Sequence, residues 1–328
     1  MTSRTLRLAA ALAVAALAAA GGVSWWWGEP DPEPTRLAIG TGPAGGVYEA
    51  VGQGLREVSA GTSTPVRAVT TAASVANLRG IASGELDGGF TLADVAGLAF
   101  AGEAPFDEPL PVRAVARLYD NHTHLVVRAD APYEQVEDLA GQRVSVGARD
   151  SGTEMVALRM LDAAGLRDGG RDPAVVVRLD LEESAEALLA GEVEAFFWSG
   201  GIPTDAVTRL AAGSRVRLID LTALLPALSA QGDSLVELPV PAGTYPGVPG
   251  VRTIGVPSLL VVRADLPDPV VRDLTATLMT SQQELARSHP VGLQLSPRSA
   301  VATLPVPLHP GALAYYREVK YGLDQAGP

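Results

Sequence analysis

Two loops in this chain set glycines and hydroxyl-bearing residues directly ahead of helix-forming stretches, a combination suited to binding anions. The first runs Gly40-Thr41-Gly42-Pro43-Ala44-Gly45-Gly46-Val47-Tyr48, the second Gly147-Ala148-Arg149-Asp150-Ser151-Gly152-Thr153. Glycine lets backbone approach a ligand closely, Thr and Ser add donors, and a helix N-terminus offers unpaired N–H groups with partial positive charge. Each loop can therefore take one anionic group such as a carboxylate. Tyr48 and Trp198 can add apolar walls with polar tips, and Thr91 holds the place equivalent to Trp198. The alternative is that these glycines serve only turn and cap geometry.

Other chemistries find less support. Gly40-Thr41-Gly42-Pro43-Ala44-Gly45 matches the dinucleotide fingerprint, and an exported nucleotide-dependent enzyme is the competing function. That motif needs an acidic residue at the end of the next strand, where this chain has Thr70-Thr71-Ala72-Ala73, and no Lys follows the glycines as a phosphate loop requires. With no Cys, thiolate catalysis, disulfides, Cys-ligated zinc and a lipoprotein anchor are excluded. Of the four His, His122 and His124 share a strand face and read as hydrogen-bonded strand residues rather than zinc ligands; His289 and His309 precede prolines in loops. Ser151 lacks the surroundings of a nucleophile. Asp94 reads as a cap for a helix over Val95 to Ala101, with a ligand ammonium as the alternative partner of its carboxylate. No catalytic residue, metal or cofactor is expected, and the protein is read as a binder rather than an enzyme. Twenty-five basic against 37 acidic residues, a net charge of −12, argue against nucleic acid as a partner.

The elements that position the two loops come from an internal duplication. Arg36 to Thr91 aligns without gaps on Arg143 to Trp198 at an offset of 107 residues, pairing Leu37-Ala38-Ile39-Gly40 with Val144-Ser145-Val146-Gly147 and Gly84 to Phe90 with Gly191 to Phe197. Each copy reads as strand, Gly-rich loop, helix, strand, helix and strand. The helices are predicted at Val47 to Ser59, Ser74 to Ser83, Thr153 to Ala164 and Glu183 to Ala190, and the middle strands at Val66 to Thr70 and Val175 to Leu179. Gly84 and Gly191 fall where a left-handed helix terminus is needed. The alternation implies two α/β lobes with parallel sheets. Leu125 to Asp130 recurs identically as Leu260 to Asp265, which predicts a two-strand hinge where the chain crosses between lobes and returns, the alternative being two similar buried strands with turns after them. Helices over Asp268 to Ser288 and Gly311 to Leu323 would pack outside. The expected organisation is lobe one over 35–123 plus 255–328 and lobe two over 124–254.

Ahead of the lobes, Arg4 and Arg7 precede an apolar run from Leu8 to Ala20, the pattern of an export signal. Ala18 to Ala20 offers a cleavage site, whereas Trp25-Trp26-Trp27 suits the interfacial end of a retained anchor, so 1–27 is a signal or an anchor. Residues 28–34 form a stiff acidic linker. The chain is expected at the periplasmic or extracytoplasmic face, with membrane contact only through the N-terminal segment if it is retained.

Several stretches in order resemble the TAXI family of solute receptors that serve TRAP-type transporters. They are Ile39 to Gly42 with Gly45 to Tyr48, Ser74 to Leu78, Ala82 to Glu85, Arg143 to Gly147 with Ser151 to Glu154, Ala242 to Gly247, and Pro307 to Gly311. The resemblance spans about Arg36 to Tyr316. It implies an α/β, two-lobed periplasmic-binding fold with two crossover hinge strands, closing on a small carboxylate such as glutamate, a related amino acid or a 2-oxo dicarboxylate. A TRAP-type permease is the implied partner, with a stand-alone sensor as the alternative use of the fold. By position the resemblance points to Thr41, Gly42, Gly45, Tyr48, Ser74, Asn77, Thr91, Ser151, Gly152, Thr153, Trp198, Ser199 and Gly200 as cleft lining. Thr91 and Trp198 depart from the family pattern, where an amide and a smaller apolar residue are usual. Arg149, unusual before the Ser-Gly-Thr turn, either strengthens carboxylate binding or faces solvent.

Overall fold

Short, mostly apolar runs make the first strand of each repeat, and three later helices end on glycines with positive φ, Gly84, Gly102 and Gly191. The computed structural model describes residues 36–167, 172–213, 216–229 and 235–325; the expected signal or anchor over 1–27, the expected linker and Thr35 lie outside the described residues. The first repeat gives β1 (Leu37–Gly40), α1 (Val47–Ser59), β2 (Val66–Val69), α2 (Ser74–Ser83), β3 (Gly88–Leu92) and α3 (Ala93–Ala101). A long strand β4 (Val112–Arg128) then leads to the second: β5 (Arg143–Ser145), α4 (Gly152–Ala163), β6 (Val175–Val177), α5 (Leu181–Ala190), β7 (Ala195–Gly200) and α6 (Asp205–Gly213). The chain continues through β8 (Val216–Leu218), α7 (Leu225–Ser229), β9 (Val236–Val240) and the second long strand, β10 (Val251–Arg263). It closes with α8 (Asp268–Thr280), α9 (Gln282–Ser288), α10 (Pro297–Ala300) and α11 (Pro310–Gln325).

Local chemistry accounts for most helix boundaries. Gly84 and Gly191 end α2 and α5 at φ 80° and 71°, as the pattern predicts. Helix α5 starts two residues before the expected Glu183, because Asp180 and Glu183 form a reciprocal capping box. Helix α4 likewise starts at Gly152, with the Ser151 hydroxyl accepting the Glu154 N–H. The single helix expected over Asp268 to Ser288 is broken at Ser281, which leaves helical geometry at ψ 29°.

The sheet is one continuous path rather than two separate parallel sheets. Its order is β2-β1-β3-β10-β4-β7-β5-β6, so each half reads the same from the outside in: three parallel strands and then one long antiparallel strand. Strands β4 and β10 lie side by side in the middle, antiparallel from Gly255↔His122 to Arg263↔Val112. They are the two crossings that make the fold two-lobed. The repeated hexapeptides lie at the ends of these two strands, Leu125 to Arg128 in β4 and Leu260 to Arg263 in β10. Leu125 opposes Phe197 in one half and Leu260 opposes Phe90 in the other, so each hexapeptide is the antiparallel neighbour of its lobe's third strand. Phe90 and Phe197 are counterparts at the 107-residue offset, which makes the pairing a direct expression of the duplication.

Apolar side chains cover both faces of the sheet. One cluster runs through both halves, joining Leu78, Ile81 and Val95 to Val156, Met160 and Phe197. On the other face, α1, α8, α9 and α11 cover the first half through Leu55, Leu274, Leu285 and Tyr316, while α5 and α6 cover the second through Leu188 and Leu210. Phe90, Phe196 and Leu55 are completely buried, each contributing roughly 1.5–3 kcal/mol relative to exposure.

Candidate functional site

In an open α/β sheet the carboxyl ends of the parallel strands are where helices begin, and here both halves bring those ends to one place. Between them lies a cavity of about 30 Å³. The N-terminal turns of α1 (Gly46, Val47), α2 (Ala73, Ser74), α4 (Gly152, Thr153) and α5 (Asp180, Leu181) all reach its wall. Tyr48, Leu92, Phe197 and Trp198 supply the larger apolar surfaces.

Hydrogen-bond accounting shows what three of the wall hydroxyls have left to offer. Ser74 Oγ accepts the Leu92 N–H at 3.0 Å, Ser151 Oγ accepts the Glu154 N–H at 2.9 Å, and Thr153 Oγ1 accepts the Ser199 N–H at 3.2 Å. Each therefore keeps its own O–H to donate. All three are buried. Among the described residues lining the cavity none is Arg, Lys or His, and Asp180 is the one with a charged side chain. Positive potential at this place comes from helix N-termini and hydroxyl hydrogens rather than from side-chain cations.

Tyr48, Ser74, Ser151, Gly152, Thr153, Trp198, Ser199 and Gly200 all line the cavity, whereas six other residues singled out from the sequence do not. Thr41 turns its hydroxyl to the Val69 carbonyl at 3.0 Å. Gly42 packs on Tyr48, whose Cβ would stand 3.2 Å from a Cβ at that position. Gly45, at φ 73°, backs onto the Glu182–Arg209 ion pair, although Pro43 of the same loop does line the cavity. Asn77 spends its amide N–H groups on the carbonyls of Gly40, Thr41 and Phe90, tying β1 to β3. Thr91 is fully buried and donates to the Leu92 carbonyl. Arg149 faces solvent. Asp94 does not cap its helix: α3 begins at Ala93, and the Asp94 carboxylate accepts the Val95 N–H and meets Arg159 at 2.6 Å.

The structure adds residues the sequence did not mark. Asn121, in the middle of β4, is 1% exposed and lines the cavity; its Nδ2 donates to Tyr48 Oη at 3.0 Å and Ser258 Oγ at 2.6 Å, while Oδ1 has no partner. Ser184 also lines it and shares a 2.8 Å hydrogen bond with Ser145. The duplication carried a signal for this residue, since Ser184 is the counterpart of Asn77 at the same offset. Burial pushes the Tyr48 phenol well above its ordinary range, so it stays protonated.

The Trp198 wall is held from behind. Its indole N–H donates to Thr204 Oγ1 at 3.0 Å, Thr204 N–H donates to Tyr245 Oη at 3.2 Å, and Tyr245 Oη lies 2.9 Å from His124 Nε2. His124 Nδ1 is 3.0 Å from the His122 carbonyl, which can only accept, so Nδ1 carries the proton and Nε2 accepts from Tyr245. Burial holds this imidazole neutral, with its pKa pulled down to about 4. The two histidines are thus strand residues supporting the wall, and among the described residues no cluster of three or more metal-ligating side chains occurs.

The two halves touch directly around the cavity. Arg79 on α2 meets Asp150 at 2.6 Å, and the Ala76 N–H donates to the Asp150 carbonyl at 3.0 Å. A Cβ on Gly152 would lie 2.5 Å from Ser74 Oγ, and one on Gly46 would lie 3.1 Å from the Trp198 ring. The cleft is closed.

Solved structures share this architecture. The chain is similar to PhnD1 from Prochlorococcus marinus (MIT 9301), solved in complex with methylphosphonate, with a TM-score of 0.54 and 11% identity over 89% of this chain and 100% of that one. A structure described as a periplasmic transporter gives a TM-score of 0.51 at 13% identity, covering 90% of this chain and 96% of its own. The alkanesulfonate-binding protein SsuA from Xanthomonas axonopodis pv. citri, bound to MOPS, matches at 18% identity and a TM-score of 0.49 over 90% and 96% of the two chains. The fold is that of the periplasmic binding proteins. At sequence level the NMT1-like family matches residues 39–319, and the chain belongs to that family.

Proposed function

We propose that this protein is an extracytoplasmic solute-binding receptor, capturing a small carboxylate between two lobes and delivering it to a membrane transporter. The observation that carries this reading is the convergence of four helix N-termini on one closed cavity, where Ser74, Ser151 and Thr153 each retain a hydroxyl hydrogen to donate. Such a wall stabilises an anion and has no activated nucleophile, so the expected act is binding without bond making. PhnD1, of the same fold, was solved in complex with methylphosphonate. The finer assignment is a TRAP-type permease as partner, as the TAXI resemblance implies.

The working cycle is hinge closure. Lobe one, 35–123 plus 255–328, and lobe two, 124–254, would separate about the middle of β4 and β10, exposing the cavity, and close again on the ligand. Thermal unfolding of the purified protein against a panel of amino acids, hydroxy acids, 2-oxo acids, dicarboxylates and nucleotides tests the reading. A ligand at a hundredfold its Kd adds about 2.7 kcal/mol of stability. A carboxylate that raises the midpoint, with the gain lost in a Ser151→Ala, Thr153→Ala double variant, is the expected result. A shift with nucleotides alone, or turnover of a substrate, overturns it.

A further inference from the structure

We infer that the ligand carries one carboxylate, one hydrogen-bond donor on the adjacent carbon and no second anionic group: a short 2-amino or 2-hydroxy monocarboxylate. This rests on the receptor reading and narrows it.

Charge on the wall limits the ligand to one anion. The helix N-termini and the three donating hydroxyls can hold a single carboxylate, but no Arg, Lys or His is present among the described lining residues to neutralise another. The one charged side chain in the wall is acidic. Asp180, half-buried, caps α5 by accepting the Glu183 N–H at 2.9 Å, and its carboxylate repels a second negative group placed beside it.

Unpaired polar atoms supply the donor requirement. Asn121 Oδ1 is buried without a partner, in a residue 1% exposed that lines the cavity. Its other amide atom is already committed to Tyr48 and Ser258. An unpaired buried acceptor is destabilising, and a ligand N–H or O–H would satisfy it. Asp180 offers further acceptor oxygens, and Ser199 Oγ is a second buried unpaired atom in the same wall.

Isothermal titration of the full-length protein with alanine, lactate, propionate, aspartate, malate and glutamate tests this. Alanine or lactate should bind at least about tenfold tighter than propionate, which lacks the donor, and than each dicarboxylate. Asp180→Asn retains a capping side chain and should raise affinity for malate or aspartate by about tenfold. Asn121→Leu should collapse the preference over propionate, a ratio that does not depend on overall stability. A dicarboxylate or propionate binding as tightly as alanine and lactate overturns the inference and leaves the receptor reading standing. Failure of every carboxylate to bind overturns both.

Discussion

The carbonyl of Asp150 accepts the Ala76 N–H at 3.0 Å, so the loop that opens α4 in one half of the sheet caps helix α2 in the other. Helix α2 needs that cap because its own N-cap residue, Ala73, has no side chain to provide one. The helix N-cap residue and the acceptor are both held in backbone conformations that favour glycine, Ala73 at φ 86°, ψ −133° and Asp150 at φ 64°. Strain from each half thus meets at the closed cleft, and closure satisfies an N–H that opening would expose to water.

Ala73→Gly is expected to raise stability by about 1 kcal/mol, because it removes the cost of a Cβ in that conformation and gives up only a methyl group. The urea midpoint of the variant against the parent measures it. A lower midpoint would mean that the methyl's packing outweighs the strain.

Gly152→Ala should block closure without unfolding the protein. Alanine suits a helical position, but its Cβ would fall 2.5 Å from Ser74 Oγ and 2.7 Å from Leu92 Cδ1, both in the opposite half. A larger radius of gyration by small-angle scattering, a nearly unchanged melting point and about tenfold weaker ligand binding are expected together. Unaltered scattering and affinity would show that the halves adjust locally.

Ser151→Ala removes the cap of α4 and should cost about 1 kcal/mol of stability. Thr153→Ala, which frees the Ser199 N–H, should cost less. If both hydroxyls donate to a bound anion, affinity falls further than stability does, with the difference between free and liganded melting curves as the readout. Equal losses in the two curves would assign these residues to folding alone.

Stability should also decline with acid through His124. Its pKa is pulled down to about 4 by burial, with His122 adding a smaller effect, whereas the unfolded chain protonates near 6.5. Between those values the unfolded state binds a proton that the folded state does not, so stability falls as pH drops from 6.5 to 4. The full contribution, about 3 kcal/mol, is present above pH 6.5 and gone below pH 4. His124→Gln should flatten the dependence of the urea midpoint across this window; a parallel decline in both proteins would exclude the histidine as its source.

Helix and strand identities were legible in the residues because they depend on local periodicity and termini: α1 and α2 fall at the predicted Val47–Ser59 and Ser74–Ser83, and Gly84 and Gly191 end their helices as expected. The 107-residue duplication likewise exposed the paired architecture, since copies of one backbone pattern pack in one way. Facing was a different matter. Thr41 and Asn77 carry the residue types of a binding loop, yet their polar atoms turn inward to serve strand carbonyls. Asn121 shows no local mark of a site, being one amide within a long strand. It reaches the cavity because the pairing of β4 with β10 sets Asn121 opposite Val256, beside a bulge in the register. A one-residue slip in that pairing would send the amide to the other face, and contacts between strands more than a hundred residues apart in the chain decide it.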